Sequence, residues 1–370
     1  MPTLALPHRT IITSRTSVVQ LEYSSETGPL PKPDAPAGAH YTRFVLLSDT
    51  HTRTCPVPDG DVLLHAGDLT QNGTLKELHT TMEWLYALPH PIKIMIAGNH
   101  DSAIHREWYE ANWKDIFLHR SKDEPESAVE VLELLKGPRA VATNLVYLED
   151  EEYKFKAWDG GREWSVYGSP WSPNFGVWAF GYDREDGDAL VAKFPKTDIL
   201  LTHGPPRNVL DLTNTKDRTG CSALAERVPE LKPKLHVFGH IHEARGAYLH
   251  RWKPETALLG VQNYIQLGIK RDGVDATDAD EGEEDAEEFE EYSDESDGDG
   301  VDYGPLLFDD PGIAEESTGT VDGGVIEEEE TIFVNAANWP SGPNARRTGM
   351  RVKMGGQGFQ PIIVDLLDQA

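Results

Sequence analysis

Two segments organise the chain: Ile199-Leu-Leu-Thr-His203-Gly-Pro-Pro and Lys234-Leu-His-Val-Phe-Gly-His240-Ile-His242. Each is an apolar run that stops at a glycine and places histidines at the end of a predicted strand. Histidines at the ends of buried strands can be held rigidly around a metal ion. A site for divalent metals that carry water also needs oxygen ligands, because imidazole supplies no negative charge. We therefore expect carboxylate or amide ligands upstream of His203.

Length and composition are compatible with a globular enzyme. The chain has 370 residues and a formal charge of -29, but residues 273–330 hold 25 of its 63 acidic residues and no Lys or Arg. The remainder is nearly balanced, with 38 acidic and 34 basic residues. Its two cysteines, Cys55 and Cys221, form no disulfide framework and fit no cysteine-based zinc spacing. With no secretory leader and no apolar run of about 18 residues, we expect a soluble cytoplasmic protein without membrane contact.

Strands and helices alternate along the chain, which predicts an α/β fold. Continuous apolar runs at 44–47, 61–65 and 92–97 are typical of strands covered on both faces. A capping-box pattern at Thr74 predicts a helix with Leu75, Leu78, Met82 and Leu85 on one face. Further helices are predicted at 127–135 and 222–231, and shorter strands at 17–23 and between Val141 and Trp164.

We divide the chain into four parts. Residues 1–40 are a Pro-, Ser- and Thr-rich arm, and 41–272 are the first part of the main domain. Residues 273–330 are an acidic low-complexity insertion that we expect to be disordered, since low hydrophobicity with unbalanced charge cannot offset the entropy of ordering. Apolar strands return in 331–370 and close the main domain.

Ligand-type residues follow three upstream strands. They are Asp49-Thr-His51, Gly67-Asp68 and Gly98-Asn99-His100-Asp101. Since the carboxyl ends of strands meet in layered α/β proteins, these groups should join the three downstream histidines. Together they supply the oxygen and nitrogen ligands that a close pair of divalent ions requires. A hydroxide held between two such ions would be a strong nucleophile near neutral pH.

The three upstream blocks, followed by His203-Gly and Gly239-His-Ile-His242, occur in an order that resembles the calcineurin-like metallophosphoesterase superfamily. Within it, four segments are similar to the MPPED branch, which in turn is similar to class III cyclic nucleotide phosphodiesterases. They are Ser48-Asp-Thr-His51, Gly168-Ser-Pro-Trp171, Pro233-Lys-Leu-His-Val-Phe-Gly-His-Ile-His-Glu243 and Phe333-Val-Asn-Ala. The resemblance implies an αββα sandwich, in which two mixed β-sheets are flanked by helices.

The resemblance also implies a role for each residue. One metal would be held by Asp49, His51 and His242. The other would be held by Asn99, His203 and His240. Asp68 would bridge the two metals, while His100 would contact the phosphate and protonate the departing oxygen with Asp101 orienting it. Mn, Fe, Ni and Zn all suit such a ligand set, and the residues do not choose among them.

The predicted function is therefore hydrolysis of a small phosphoester. A phosphodiester such as a cyclic nucleotide is the first choice, attacked by a hydroxide that bridges the metals. The alternatives are a phosphomonoesterase acting on phosphoproteins or metabolites, and a metal-binding interaction module with vestigial catalysis. The acidic run is either a solvated spacer or a segment that binds a basic partner, and it would repel nucleic acid. The sequence leaves the oligomeric state open.

Other residues have simpler interpretations. His65 and His236 lie inside apolar strands and are expected to be hydrogen-bonded core histidines, and both cysteines are expected to be inert buried thiols. The aromatic loop 168–180 is interpreted first as packing over a core edge and second as a pocket wall. Arg207 and Asn208 are interpreted first as surface loop residues and second as substrate contacts.

Overall fold

Parallel strands form the centre of two β-sheets in the computed structural model. It describes residues 11–23, 30–116, 125–252, 329–341, 345–347 and 350–368. In the first sheet the strand order is β1-β2-β17-β3-β4-β5-β6, and β3 to β6 run parallel to one another. Its strands are β1 (Ile11–Thr13), β2 (Ser17–Gln20), β3 (His40–Leu47), β4 (Val62–Ala66), β5 (Ile92–Ile96), β6 (Leu145–Tyr147) and β17 (Ile362–Asp368).

The second sheet has the order β13-β14-β12-β11-β8-β7. Its four central strands are parallel, and the outer strands β13 and β7 are antiparallel to their neighbours. The six strands are β7 (Glu151–Lys156), β8 (Glu163–Ser169), β11 (Ile199–Thr202), β12 (Leu235–Phe238), β13 (Gly246–Arg251) and β14 (Glu330–Asn335). Two short pairs, β9 (Ser172–Pro173) with β10 (Gly181–Tyr182) and β15 (Arg346–Arg347) with β16 (Met350–Arg351), lie outside both sheets.

Helices cover the sheets. They are α1 (Leu75–Ala87), α2 (Arg106–Ile116), α3 (Ala128–Lys136), α4 (Pro138–Ala142), α5 (Gly187–Val191) and α6 (Ser222–Leu231). The capping box at Thr74 is confirmed, since its side chain accepts the Glu77 N–H while the Glu77 carboxylate accepts the Thr74 N–H. The predicted strand region from Val141 is wrong at its start, because Pro138 occupies the first turn of α4 and residues up to Ala142 are helical.

Alternate residues of each central strand face different layers. In β3, Phe44 and Leu46 pack in the core between the sheets, together with Trp164 and Ile199 of the second sheet. Leu47 faces the opposite way and packs in the layer that includes α1. A third apolar cluster joins the second sheet to α6. Each sheet is thus apolar on both faces, which explains the continuous apolar runs, and the predicted αββα sandwich is confirmed.

The two ends of the chain meet in the first sheet. The predicted strand near residue 17 is β2, which pairs with β17, and β17 pairs in turn with β3. Of the predicted acidic insertion only Glu329 and Glu330 are described, and Glu330 is already the first residue of β14. The rest of that prediction lies outside the described residues. No helix in the described part of the chain is long and apolar enough to cross a membrane.

Two histidines lie inside the sheets. His65 in β4 and His236 in β12 are 0% exposed, as expected of core residues. Each bonds through Nε2 to a threonine hydroxyl, Thr50 at 3.0 Å and Thr202 at 2.9 Å. The second ring nitrogen, Nδ1, has no hydrogen-bond partner among the described residues in either histidine. Burial lowers the pKa of both imidazoles to about 3, so both are neutral.

These buried imidazoles predict a loss of stability on acidification. The unfolded chain binds a proton at each near pH 6.5, whereas the folded chain does so only near pH 3. Because the unfolded state binds more protons in that window, the free energy of unfolding should fall by about 1.4 kcal/mol per histidine per pH unit. Urea unfolding in EDTA between pH 5.5 and 4.5, where these histidines are almost fully protonated in the unfolded chain, measures this slope. His236→Leu should reduce the slope by about one histidine's contribution, and an unchanged slope would contradict the assignment.

Candidate metal centre

Five loops meet where the parallel strands of the two sheets end. They follow β3, β4 and β5 in the first sheet and β11 and β12 in the second. Backbone hydrogen bonds join neighbouring loops, from the Asp49 N–H to the Gly67 carbonyl at 2.9 Å and from the Gly239 N–H to the His203 carbonyl at 3.0 Å. His203 also links the sheets, since its Nδ1 bonds the Ala66 carbonyl at 2.9 Å. This is the edge at which the sequence predicts the ligands.

Four of the seven candidate ligands have a left-handed backbone. The φ angle is 53° at Asp49, 45° at His51, 53° at Asp68 and 67° at His240. Residues other than glycine adopt this conformation infrequently, and it costs about 1–3 kcal/mol where the surroundings impose it. Such strain persists only where the surrounding structure fixes it, and it concentrates at functional sites. Its recurrence at these strand exits indicates a functional centre.

The first cluster consists of Asp49, His51, Asp68 and His242. Each offers one ligand atom, and these atoms all lie within 4.8 Å of one another. The Nε2 atoms of His51 and His242 are 3.3 Å apart, and His242 Nε2 is 3.2 Å from Asp49 Oδ1. Three of the side chains are buried, whereas 22% of the His242 side chain is exposed. The cluster is therefore a buried set of ligands that is accessible from the His242 side.

The second cluster is centred on an amide oxygen. Oδ1 of Asn99 lies 2.8 Å from His203 Nε2 and 2.8 Å from His240 Nδ1. Asp68 lies between the clusters, with Oδ1 3.4 Å from His203 Nε2 and Oδ2 3.8 Å from His51 Nε2. The structure thus brings all seven predicted ligands together, with Asp68 in contact with histidines of both clusters. Asp68 has the position that a bridging carboxylate needs.

Hydrogen bonds to backbone carbonyls fix the tautomer of two histidines. His51 Nδ1 bonds the Thr70 carbonyl at 3.2 Å, and His203 Nδ1 bonds the Ala66 carbonyl at 2.9 Å. Because a carbonyl only accepts, both Nδ1 atoms carry the hydrogen. Nε2 is then the nitrogen directed at the other ligands, which is how metal-binding imidazoles are arranged in proteins. The residues present therefore fit a divalent metal site.

Electrostatics favour the charge state that a metal ligand needs at Asp49, His51 and His240, but not at His242. Burial raises the pKa of Asp49, but the His242 hydrogen bond and the neighbouring histidines outweigh it and hold this pKa below its ordinary range. Burial lowers the pKa of His242, yet Asp49 reverses the shift and raises that pKa. Burial also holds the pKa of His51 well below its ordinary value and lowers that of His240 to about 3. Asp49 is thus a carboxylate and His51 and His240 are neutral imidazoles, whereas His242 would have to give up its proton to bind a metal.

Glycines before the ligands make room for side chains from other loops. A Cβ at Gly239 would overlap the carboxylate of Asp49. A Cβ at Gly98 would overlap both Asp68 and the ring of His203. Gly98 and Gly239 are therefore needed for the close approach of a second loop, which a sequence pattern alone does not show.

His100 lies beside the clusters. Its Nδ1 donates to the Gln71 carbonyl at 2.7 Å, and its backbone N–H donates to Asp68 Oδ1 at 2.9 Å. Its ring centroid is 4.0 Å from that of Trp178 and 4.7 Å from that of His51. Among the described residues Nε2 has no partner, so this nitrogen is free to meet a substrate.

Asp101 makes different contacts from those that the resemblance implies. Its carboxylate accepts the backbone N–H groups of Leu69, Thr70 and Gly98 at 2.8–3.1 Å and the Thr70 hydroxyl at 2.7 Å. These bonds join the loop after β4 to the loop after β5. Asp101 therefore bonds to the backbone of these loops and not to the imidazole of His100, and its effect on that ring is indirect.

Two buried asparagines that the sequence analysis assigns no role support the ligand loops. Asn335 donates from Nδ2 to the carbonyl of Ile241 at 2.8 Å, between two candidate ligands. Asn338 exchanges bonds with Ser48, which directly precedes Asp49: its backbone N–H donates at 2.8 Å and its Oδ1 accepts at 3.3 Å. Both asparagines are 0% exposed. The closing segment thus fixes the backbone on both sides of the first cluster.

Aromatic side chains border the centre. In the aromatic loop, Trp178 contacts His100 as a pocket wall would, while buried Phe180 stacks on His105 at 4.5 Å as core packing. Trp339 contacts His51 edge-on at 5.2 Å and carries the guanidinium of Arg53 at 4.5 Å. Neither Trp339 nor Arg53 is part of a motif that the sequence analysis identifies.

The remaining candidates lie elsewhere. Arg207 is exposed, and the backbone N–H of Asn208 donates to Asp211 at 2.9 Å. The structure gives neither residue a contact with the clusters. Cys55 and Cys221 are buried free thiols, as expected.

Comparisons with known proteins agree with this arrangement. The family profile of the calcineurin-like phosphoesterases matches residues 42–244. The human metallophosphoesterase domain-containing protein 1 is 44% identical over 224 residues, which cover 58% of this chain and 64% of that protein. A UPF0046 protein of Caenorhabditis elegans is 34% identical over 232 residues, covering 58% of this chain and 54% of its own. The matches span less than two thirds of either relative's length.

The lack of space for a Cβ at Gly239 predicts that a larger residue there weakens metal binding. Gly239→Ala should displace the Asp49 carboxylate and weaken binding of one Mn²⁺ by about tenfold or more. Calorimetric titration with Mn²⁺ measures this effect. Gly187→Ala is the control, since its Cβ would approach nothing nearer than Ala223 at 3.3 Å. A folded Gly239→Ala protein that binds Mn²⁺ as tightly as the parent would show that this contact does not matter.

Proposed function

The chain belongs to the calcineurin-like phosphoesterase family, and on that premise we propose that it is a metal-dependent hydrolase of small phosphodiesters, with cyclic nucleotides as the first candidates. The observation that carries this proposal is the position of Asp68 between two ligand clusters, with His100 beside them. The ligand atoms of the two clusters are imidazole nitrogens and carboxylate or amide oxygens, which suit Mn, Fe, Ni or Zn.

Two divalent ions at this site would polarise the phosphoryl group and lower the pKa of a bound water. The carboxylates of Asp49 and Asp68 offset only part of such a positive charge, so the site would attract a phosphate anion. The neutral imidazoles of His51 and His240 would hold the ions without offsetting further charge.

His100 would act on the departing oxygen. Its Nδ1 is held by the Gln71 carbonyl and its ring plane is fixed by Trp178. When the ring carries a second proton, Nε2 can therefore donate it in one direction only. An imidazole suits this step because its pKa lies near neutral pH, and general acid catalysis of this kind contributes about 10²–10⁴ in rate.

The scarcity of nearby cations favours a diester over a monoester. A monoester dianion is often held by bidentate arginines. Among the described residues, no Lys or Arg bonds to the seven candidate ligands or to His100, and the Arg53 guanidinium packs on Trp339. A singly charged diester needs fewer such partners. A phosphomonoesterase is the second candidate, because the same ligand set can bind either ester.

Comparing two esters of one chromophore tests the substrate class. We expect the Mn²⁺-loaded protein to hydrolyse bis(p-nitrophenyl) phosphate with a higher kcat/KM than p-nitrophenyl phosphate. The reverse order would favour the monoesterase. Negligible turnover of both esters and of cyclic nucleotides with Mn, Fe, Ni and Zn alike would favour a metal-binding module without catalysis.

Variants test the assigned roles. Asp68→Ala should abolish measurable turnover, because neither cluster keeps its shared carboxylate. His100→Asn should lower kcat by about 10²–10⁴ for a cyclic nucleotide with its poor alkoxide leaving group, and by less for nitrophenolate, which leaves without a proton. His79→Asn, on the exposed face of α1, is the matched control. Parent-like rates in Asp68→Ala with metal still bound would contradict the proposal.

A further inference from the structure

Each ligand cluster has a threonine next to one of its ligands. Thr50 lies between Asp49 and His51 of the first cluster, and Thr202 directly precedes His203 of the second. Both threonines are buried, at 0% and 2% exposure. Each hydroxyl bonds the Nε2 of a histidine on the adjacent parallel strand of its own sheet. These histidines are the two core imidazoles described above, which the proposed reaction does not use.

In the second sheet the direction of the bonds is defined. The Thr202 hydroxyl donates to the Gly204 carbonyl at 2.8 Å, so it accepts from His236 Nε2–H at 2.9 Å. The chain of bonds therefore begins at His236 on β12 and spans His203, the residue between Thr202 and Gly204. It fixes the turn that carries a candidate metal ligand.

In the first sheet the contact is a single bond. Thr50 Oγ1 lies 3.0 Å from His65 Nε2, and among the described residues neither side chain has another hydrogen-bond partner. Its neighbours Asp49 and His51 both have left-handed backbones, with φ of 53° and 45°. A bond at the residue between them holds this strained loop in place.

Filling the core does not explain these histidines. A leucine or phenylalanine would occupy the space without leaving a buried Nδ1 that lacks a partner among the described residues, which is unfavourable. A threonine–histidine pair occurs in each sheet. The threonine of the first sheet is next to ligands of the first cluster, and the threonine of the second sheet is next to a ligand of the second cluster. Core packing gives no reason for that placement.

We propose that His65 and His236 are positioning residues, each of which holds the ligand loop of a different metal through the adjacent threonine. His65 acts through Thr50 on the ion bound by Asp49 and His51. His236 acts through Thr202 on the ion bound by His203. The inference rests on the proposed two-metal centre and extends it to a second layer of residues, of the kind that supports metal ligands in proteins.

Stepwise Mn²⁺ binding tests the proposal without any measurement of hydrolysis. Thr50→Val and Thr202→Val remove the hydroxyl, and each should weaken one of the two Mn²⁺ dissociation constants by about tenfold. Thr50→Ser and Thr202→Ser keep the hydroxyl and should bind nearly as the parent does. His236→Phe should reproduce Thr202→Val, which gives a second route should either variant fold poorly. Urea unfolding checks that every variant is folded.

A His242→Ala background identifies which ion each bond supports. This change removes a ligand of the first cluster only. In that background Thr202→Val should still weaken the remaining ion by the same factor, whereas Thr50→Val should have no further effect. Equal weakening of both ions by each valine variant, unchanged binding in all variants, or serine variants as weak as the valine ones would overturn the proposal. A parent protein that binds two Mn²⁺ but hydrolyses no ester would refute the proposed function and leave this inference intact.

Discussion

The shared position of Asp68 is the constraint on which the rest of the structure depends. One carboxylate oxygen faces His51 and the other faces His203, so a single buried side chain connects ligands from both sheets. This requires the ends of the parallel strands in the two sheets to lie close enough for the side chains that follow them to meet. The apolar core between the sheets sets that distance, and close approach at the glycines before the ligands permits it. The remaining features of the centre follow from that geometry.

The centre opposes the stability of the fold. Carboxylates and imidazoles with little exposure replace apolar contacts, and four ligands have strained left-handed backbones. Such features persist where the surrounding structure over-determines them. Here the surrounding structure is polar and specific: Asn335 and Asn338 hold the backbone beside the ligands, and Asp101 joins two of the loops. A binding function accounts for this arrangement, because apolar side chains at the same positions would make the fold more stable.

The sequence predicts the strand exits and the ligands well, because both depend on local patterns. An apolar run that ends in a glycine followed by Asp, Asn or His predicts both a strand and the residue at which the strand ends. The sequence predicts the supporting residues poorly, because their contacts are distant in the chain. Ser48 and Asn338, for example, are 290 positions apart. The α4 helix is missed for a local reason, since Pro138 starts a helix of only five residues. The core histidines are placed correctly, but their threonine partners appear only when neighbouring strands are paired.

We propose that this fold holds two divalent ions, one on either side of Asp68. Anomalous diffraction from crystals grown with Mn²⁺ measures this directly. We expect two anomalous peaks about 3.5–4 Å apart, with Asp68 between them. One should lie beside Asp49, His51 and His242, and the other beside Asn99, His203 and His240. A single peak, or peaks away from these residues in crystals saturated with Mn²⁺, would contradict it.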